Sequence, residues 1–349
     1  MSHLLTISDA VNTHARVIPN YVGARDSKRE LSYREWDRRA RSLARGLLGL
    51  GLNKGDRVGI LAYNCIEWLE IYVALARVGL VAVPLNFRLL GSEITYILNH
   101  CEASALIAGS EFTGLIDSIR DELVLERWSY ISLGSSALQG WNDYERLANA
   151  PGGRELETGV VLPDDTFALL YTSGTTGRPK GAIRSHQGNS LIAMATAVEM
   201  EFTTKDTGLL VMPMCHANSL YFAITFIHLG ATCIVEDSRS FDPELLLDKL
   251  AREKVTFTSL VPTHYIMLLS LPEMVKSRYS MDSVGKLMVS SAPARKDTKL
   301  AILEYFRNSR LYELYGSTEA GWVTLLRPEE QISKLGSVGS GPSAAQSGC

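Results

Sequence analysis

Runs of like charge are missing from this chain. Its 35 basic and 38 acidic residues are interspersed, with a formal charge of −3, and no block of one sign offers an electrostatic footprint for nucleic acid or anionic lipid. Cysteine is sparse: Cys65, Cys101, Cys215, Cys233 and Cys349 are odd in number and widely scattered. None forms the close pairs of structural zinc sites or redox dithiols, and a reducing, cytoplasmic setting is expected. A bilayer span needs about 20 consecutive apolar residues. The most apolar stretch, Trp68 to Leu85, is broken by Glu70, Arg77, Gly79 and Pro84 and reads as helix, turn and buried strand, so no integral membrane segment is expected. The first residues, Met1 to Asp9, lack the basic segment, apolar stretch and small-residue cleavage site of a signal peptide. What is present is the composition of a core-forming globular chain, 46% hydrophobic and 21% charged over 349 residues, long enough for two domains.

Punctuation along the chain alternates helical and extended segments. Ser32 and Glu35 form a capping box ahead of Trp36, Ala40, Leu43 and Leu47 at helical spacing. Arg57 to Ala62 reads as a strand, Glu67 to Val78 as a helix stopped by Gly79, Leu80 to Val83 as a strand, and Ile94 to Leu98 as a helix. Later, Phe167 to Tyr171, Leu209 to Met212, Ala231 to Val235, Thr256 to Val261 and Lys286 to Val289 are strand-like. Asn189 to Met200 and Ser219 to His228 are helical, and Asp242-Pro243-Glu244 opens another helix. This alternation predicts an α/β fold of two doubly wound, mainly parallel sheets with helices on both faces. The polar stretch from Gly152 to Thr158, ending at Leu162-Pro-Asp-Asp165, suggests subdomains over 1–163 and 164–339, followed by a small, polar tail over 340–349.

The segment Thr172-Ser-Gly-Thr-Thr-Gly-Arg-Pro-Lys-Gly181 follows directly on the apolar run Phe167 to Tyr171. Hydroxyls on Thr172, Ser173, Thr175 and Thr176, amides made accessible by Gly174 and Gly177, and the cations Arg178 and Lys180 suit polyphosphate oxygens. The ending Pro179-Lys180-Gly181 replaces the Gly-Lys-Ser/Thr of a Walker loop and disfavours NTPases of that class. A plain Gly/Ser/Thr surface loop is the competing reading.

This loop resembles the signature of the adenylate-forming superfamily, which includes acyl-CoA synthetases, luciferases and peptide-synthetase adenylation domains. Tyr312-Glu-Leu-Tyr-Gly-Ser-Thr-Glu319 resembles the family's downstream Tyr-Gly-x-Thr-Glu motif, and Ser290-Ser-Ala-Pro293 lies where the family has an adenine-binding turn. The likeness runs to about Gly339. It implies that Thr172 to Thr176, with Gly177 and Lys180, hold the phosphates of ATP. Glu319 would coordinate Mg²⁺, and Thr318 would lie near the α-phosphate. Tyr315 would pack on adenine, flanked by Gly316 and Ser317, with Ser290, Ser291 and Ala292 on the other face. Met212-Pro-Met-Cys-His216 resembles the segment lining the acid pocket, with His216 near the carboxylate and Ala217, Tyr221, Phe222, Val261 and Pro262 as apolar walls. Outside that context a lone His beside apolar residues is as well explained by core packing. The segment lacks the acidic residue that amino-acid-activating relatives use to pair the substrate ammonium, which disfavours a peptide-synthetase role.

The implied reaction activates an apolar aliphatic or aromatic carboxylic acid with ATP to an acyl-adenylate and transfers the acyl group to coenzyme A. Lys180, His216, Thr318 and Glu319 are the expected catalytic positions. Beyond Gly339 the family continues into a ribose-binding aspartate motif, a hinge and a lid domain with a catalytic lysine. None of these occurs in the 349 residues, so weak nucleotide binding and poor turnover are expected of this polypeptide alone. A catalytically silent nucleotide- or acid-binding module and a different α/β nucleotide enzyme, such as a kinase, are the alternatives. Neither the identity of the acid nor an oligomeric state follows from the residues.

Overall fold

The computed structural model describes residues 6–134, 138–151, 160–172 and 178–341. Local chemistry sets the elements. Ser32 Oγ accepts from the Glu35 amide while the Glu35 carboxylate accepts from the Ser32 amide, opening the helix Tyr33–Gly49. Trp36, Ala40, Leu43 and Leu47 are all fully buried on its inner face. The apolar stretch from Trp68 resolves as expected into the helix Glu67–Val78, a left-handed Gly79 and a buried strand. Asp242 Oδ1 accepts from the amides of Glu244 and Leu245 to start the helix Pro243–Arg252. Among the described residues no helix is long and apolar enough to cross a membrane.

Fifteen strands occur among the described residues. They are β1 (Val22–Arg25), β2 (Glu30–Ser32), β3 (Arg57–Leu61), β4 (Val81–Pro84), β5 (Ala103–Gly109), β6 (Tyr130–Leu133), β7 (Asn142–Asp143) and β8 (Thr166–Thr172), then β9 (Lys180–Ser185), β10 (Thr207–Leu210), β11 (Thr232–Val235), β12 (Phe257–Leu260), β13 (Lys286–Ser290), β14 (Arg310–Ser317) and β15 (Gly321–Leu326). They form two sheets, ordered β7-β6-β5-β3-β4-β8-β9 and β15-β14-β13-β12-β10-β11-β1-β2. Every pairing is parallel except β8 with β9, β14 with β15 and β1 with β2. The expected α/β architecture with two mainly parallel sheets is therefore present.

The sheets do not divide at residue 163. β1 and β2 from the first 32 residues join the second sheet through the parallel pair Ala24 with Cys233, and β8 and β9 complete the first. Which sheet a strand joins is decided by non-local pairing that local pattern does not carry. The start of the expected tail is also paired: Ser340 bridges to Leu325. One buried apolar cluster runs between the sheets, and each sheet has a second cluster of its own. Asn64, just beyond β3, ties the sheets together: its side chain donates to the carbonyls of Met212 and Glu236 and accepts from the Met214 amide.

In the second sheet the chain leaves β10 for β11 on one side and returns to β12 on the other. The switch point of an open parallel sheet leaves a crevice at the carboxyl ends of the strands. The loops after β10 and β13 and the β14/β15 hairpin meet there.

Candidate active site

The antiparallel register of β8 and β9 sets Thr172 opposite Lys180, at the two ends of the hydroxyl-rich loop. Ser173, Gly174, Thr175, Thr176 and Gly177 lie outside the described residues. The hairpin is anchored on both flanks. Tyr96 Oη donates to the Pro179 carbonyl at 3.2 Å, and the Tyr171 hydroxyl lies 2.7 Å from His100 Nδ1. Lys180 is exposed and makes no ion pair among the described residues, so its ammonium is available to an anion.

The β14/β15 hairpin presents the second motif. Ser317 and Gly321 pair across it, leaving Thr318, Glu319 and Ala320 as its turn, and the Ala320 amide donates to Ser317 Oγ at 3.0 Å. Thr172 Oγ1 donates to Glu319 Oε1 at 3.2 Å, joining the two motifs across the sheets. Arg184 Nη1 donates to the Glu319 carbonyl at 3.0 Å. A bond from its own backbone amide, with the hydroxyls of Thr172 and Ser317, holds the Glu319 carboxyl below the usual carboxylate range, so it is ionised at neutral pH. Among the described residues no group of three or more His, Cys, Asp or Glu side chains could hold a metal alone. One ionised carboxylate beside hydroxyl oxygens instead fits Mg²⁺, a hard cation that takes most of its ligands from phosphate and water.

Beside this turn lies a cavity of about 430 Å³. His216, Ala217, Tyr221 and Phe222 line it from the end of the β10 loop and the helix that follows, and Ser290, Ser291, Gly316, Ser317 and Thr318 from the turn after β13 and the β14/β15 hairpin. His216 precedes the helix Ala217–Leu229, which no side chain caps, so the positive end of a helix dipole lies on the cavity wall where a carboxylate is expected. Desolvation, and then the charge of Arg88, lower the His216 pKa, which keeps the ring neutral near pH 7; Asn86 Nδ2 lies 3.3 Å from its Nε2. Burial pushes the adjacent Cys215 thiol up to about 12, which removes it as a nucleophile.

The turn after β13 is held in an uncommon conformation. Ser291 has φ +68°, in the left-handed region that favours glycine. Behind it, the buried Glu313 carboxylate accepts from the Ala294 amide at 3.0 Å and pairs with the buried Lys299 ammonium, locking the turn to β14. Tyr315 on β14 is 54% exposed and so has ring surface available for stacking. Ala292 and Tyr315 flank the cavity wall without lining it. Val261 and Pro262 do not line it either. They cap and open the helix Pro262–Leu269, which leaves from the end of β12.

Several contributors escaped the sequence reading. Asn218 lines the cavity and donates to Ser259 Oγ and Ser290 Oγ at 3.0 and 2.7 Å, fixing its amide against two strands. Its place in the first turn of the helix after His216 was the available signal. Ile192, Thr196 and Trp322 also reach the wall. Nothing local marks the first two, because the helix that carries them follows β9, in the other sheet.

Comparison with known proteins bears on this arrangement. The family model for AMP-binding enzymes matches residues 10–345. An indoleacetate–CoA ligase of Aromatoleum aromaticum is 29% identical over 337 residues, which are 96% of this chain and 64% of the relative. Among solved structures, the inhibitor-bound N-terminal domain of FACL13 from Mycobacterium tuberculosis superposes with a TM-score of 0.84 at 26% identity, covering 97% of this chain and 83% of that one. The anthranilate CoA ligase AuaEII in complex with anthranoyl-AMP shares the fold with a TM-score of 0.89 at 24% identity, covering 98% of this chain and 65% of that one. The chain spans less than two thirds of the length of the curated relatives it matches.

Proposed function

The chain belongs to the AMP-binding enzyme family, and from that premise we propose that it supplies the nucleotide- and acid-binding machinery of an acid–thiol ligase. The reaction would activate a carboxylic acid with ATP to an acyl-adenylate and pass the acyl group to coenzyme A. The observation that carries the reading is the bond from Thr172 to Glu319, which brings the phosphate-loop hairpin to the ionised carboxylate at the rim of the cavity.

The roles follow from the chemistry of each group. Thr172 and Lys180, with Ser173 to Gly177, would bind the phosphate chain of ATP, hydroxyl and amide donors meeting its oxygens and the ammonium its charge. Glu319 would hold Mg²⁺, which when bound offsets charge developing on pyrophosphate. Tyr315 would stack on adenine, opposite the backbone of Ser290, Ser291 and Ala292. Thr318 would donate to the α-phosphate. The carboxylate of the acid would lie between neutral His216 and the uncapped amides of the helix Ala217–Leu229. Those donors hold it without neutralising it, so that its oxygen remains the nucleophile towards phosphorus. Tyr221, Phe222 and Trp322 give the wall an apolar, aromatic character that suits an apolar aliphatic or aromatic acid, and the relatives are named for both kinds, indoleacetate and long-chain fatty acids.

Binding of a non-hydrolysable acyl-sulfamoyl adenosine tests the reading. If one site holds acid and nucleotide together, the joined analogue binds at least about a hundredfold more tightly than AMP in titration calorimetry. An analogue no tighter than AMP for any aliphatic or aromatic acyl group contradicts acid activation and favours a silent nucleotide-binding module.

A further inference from the structure

Glu319 is exposed, yet it is fixed at both ends by one hairpin of the opposite sheet. Thr172 on β8 holds its carboxylate, and Arg184 on β9 holds its carbonyl. Arg184 is an unusual residue for its position. It is 7% exposed, it pairs with no carboxylate among the described residues, and its Nε is buried without an acceptor. Taking an unpaired cation out of water is costly, and the packing around it does not call for one. Its Cζ lies 5.3 Å from the centre of the Tyr221 ring, and a side chain of similar volume without charge would cover that ring as well.

The turn itself is shaped around the guanidinium. Gly321 closes it at φ +72°, and a Cβ there would stand 2.6 Å from Ile192 Cδ1 and 3.2 Å from Arg184 Nη2. The residue after Ala320 thus has a left-handed backbone and no side chain at the place the arginine fills. Within the turn, the bond from the Ala320 amide to Ser317 Oγ is local to β14 and does not fix the hairpin relative to the other sheet.

We infer that Arg184 is a positioning residue for Glu319: it clamps the carbonyl of the turn to β9, so that the carboxylate stays within reach of Thr172. Among the described residues, the hairpin's turn is then bonded to the other sheet at both ends of Glu319. The inference rests on the reading of Glu319 as the metal-facing carboxylate. Lysine reaches the same carbonyl with one donor but lacks the planar fork that also spans Tyr221 and Gly321, so it replaces arginine only in part.

Two measurements on the 349-residue chain test this. Amide hydrogen exchange over Ala320, Gly321 and Trp322 is compared between the unsubstituted protein, Arg184→Met and Arg184→Lys, with residues 310–313 of β14 as the internal reference. ATP affinity is then measured with magnesium and with EDTA. Loss of a charged hydrogen bond predicts exchange at the turn about tenfold or more faster in Arg184→Met, with an intermediate rate in Arg184→Lys and no change in the reference. The gain in ATP affinity from magnesium falls by a similar factor, while affinity in EDTA stays within about twofold. Unchanged exchange at the turn overturns the inference, as does an equal loss of affinity with and without magnesium, which is the signature of a merely structural residue. Absence of any magnesium effect in the unsubstituted protein is a different failure: it overturns the reading of Glu319 itself.

Discussion

The pair formed by Lys299 and Glu313 gives the most quantitative handle on how the turn after β13 is held. The two side chains are 1% and 4% exposed, and Glu313 also accepts from the Ala294 amide in the turn that leads away from Ser290 and Ser291. Glu313→Gln keeps the shape and a carbonyl oxygen for Ala294 but leaves a buried ammonium without its counter-charge. Breaking a buried pair in this way costs about 3–5 kcal/mol. At roughly 2 °C per kcal/mol for a chain of this size, the thermal midpoint falls by about 6–10 °C. Denaturant unfolding followed by circular dichroism reads the same loss as a lower midpoint with an unchanged slope. The double substitution Lys299→Met with Glu313→Leu removes both charges and recovers most of the loss, because neither is then left unpaired. A Glu313→Gln protein within about 1 kcal/mol of the unsubstituted one refutes the reasoning, since the pair would then be contributing no more than an exposed one.

Other predictions concern the site and the response to pH. Glu319→Gln, at an exposed position, leaves stability within about 0.5 kcal/mol but abolishes the gain in ATP affinity from magnesium; melting curves and titrations in magnesium and EDTA check both halves. Ser291→Gly relieves a left-handed backbone and raises stability by up to about 1 kcal/mol, read as a higher midpoint in equilibrium unfolding. Burial lowers the pKa values of His186 and His228 to about 4, against about 6.5 in the unfolded chain. Between those values the unfolded state binds more protons, so stability falls as pH drops from about 6.5 to about 4, by up to about 1.4 kcal/mol per pH unit for each ring. His186→Phe flattens the denaturant midpoint against pH over that window if the burial of His186 is the cause.

Much of this arrangement was legible in the order of residues, because it rests on local chemistry. The capping box at Ser32 and Glu35, the stop at Gly79 and the start at Asp242 are each decided within a few residues, and the structure has them where the sequence puts them. The Tyr-Gly-Ser-Thr-Glu segment was legible through its resemblance to a family motif, and it lies on one hairpin. What pattern did not carry was pairing at a distance. β1 and β2 join the second sheet, β8 and β9 the first, and no local signal distinguishes these strands from their neighbours. The same blindness hid Arg184, Ile192 and Thr196, which reach the site because β9 and the helix after it come from the opposite sheet to the cavity's other walls. Val261 and Pro262, which the resemblance implied as pocket walls, cap and open the helix Pro262–Leu269 and are not among the residues lining the cavity.

The most direct test is a crystal structure of the chain with ATP and magnesium. The account predicts the triphosphate between Thr172 and Lys180 on one hairpin and Glu319 on the other, with the metal on the Glu319 carboxylate and the adenine against Tyr315. A triphosphate bound elsewhere, or a hydroxyl-rich loop turned away from Glu319 with nucleotide present, would contradict it.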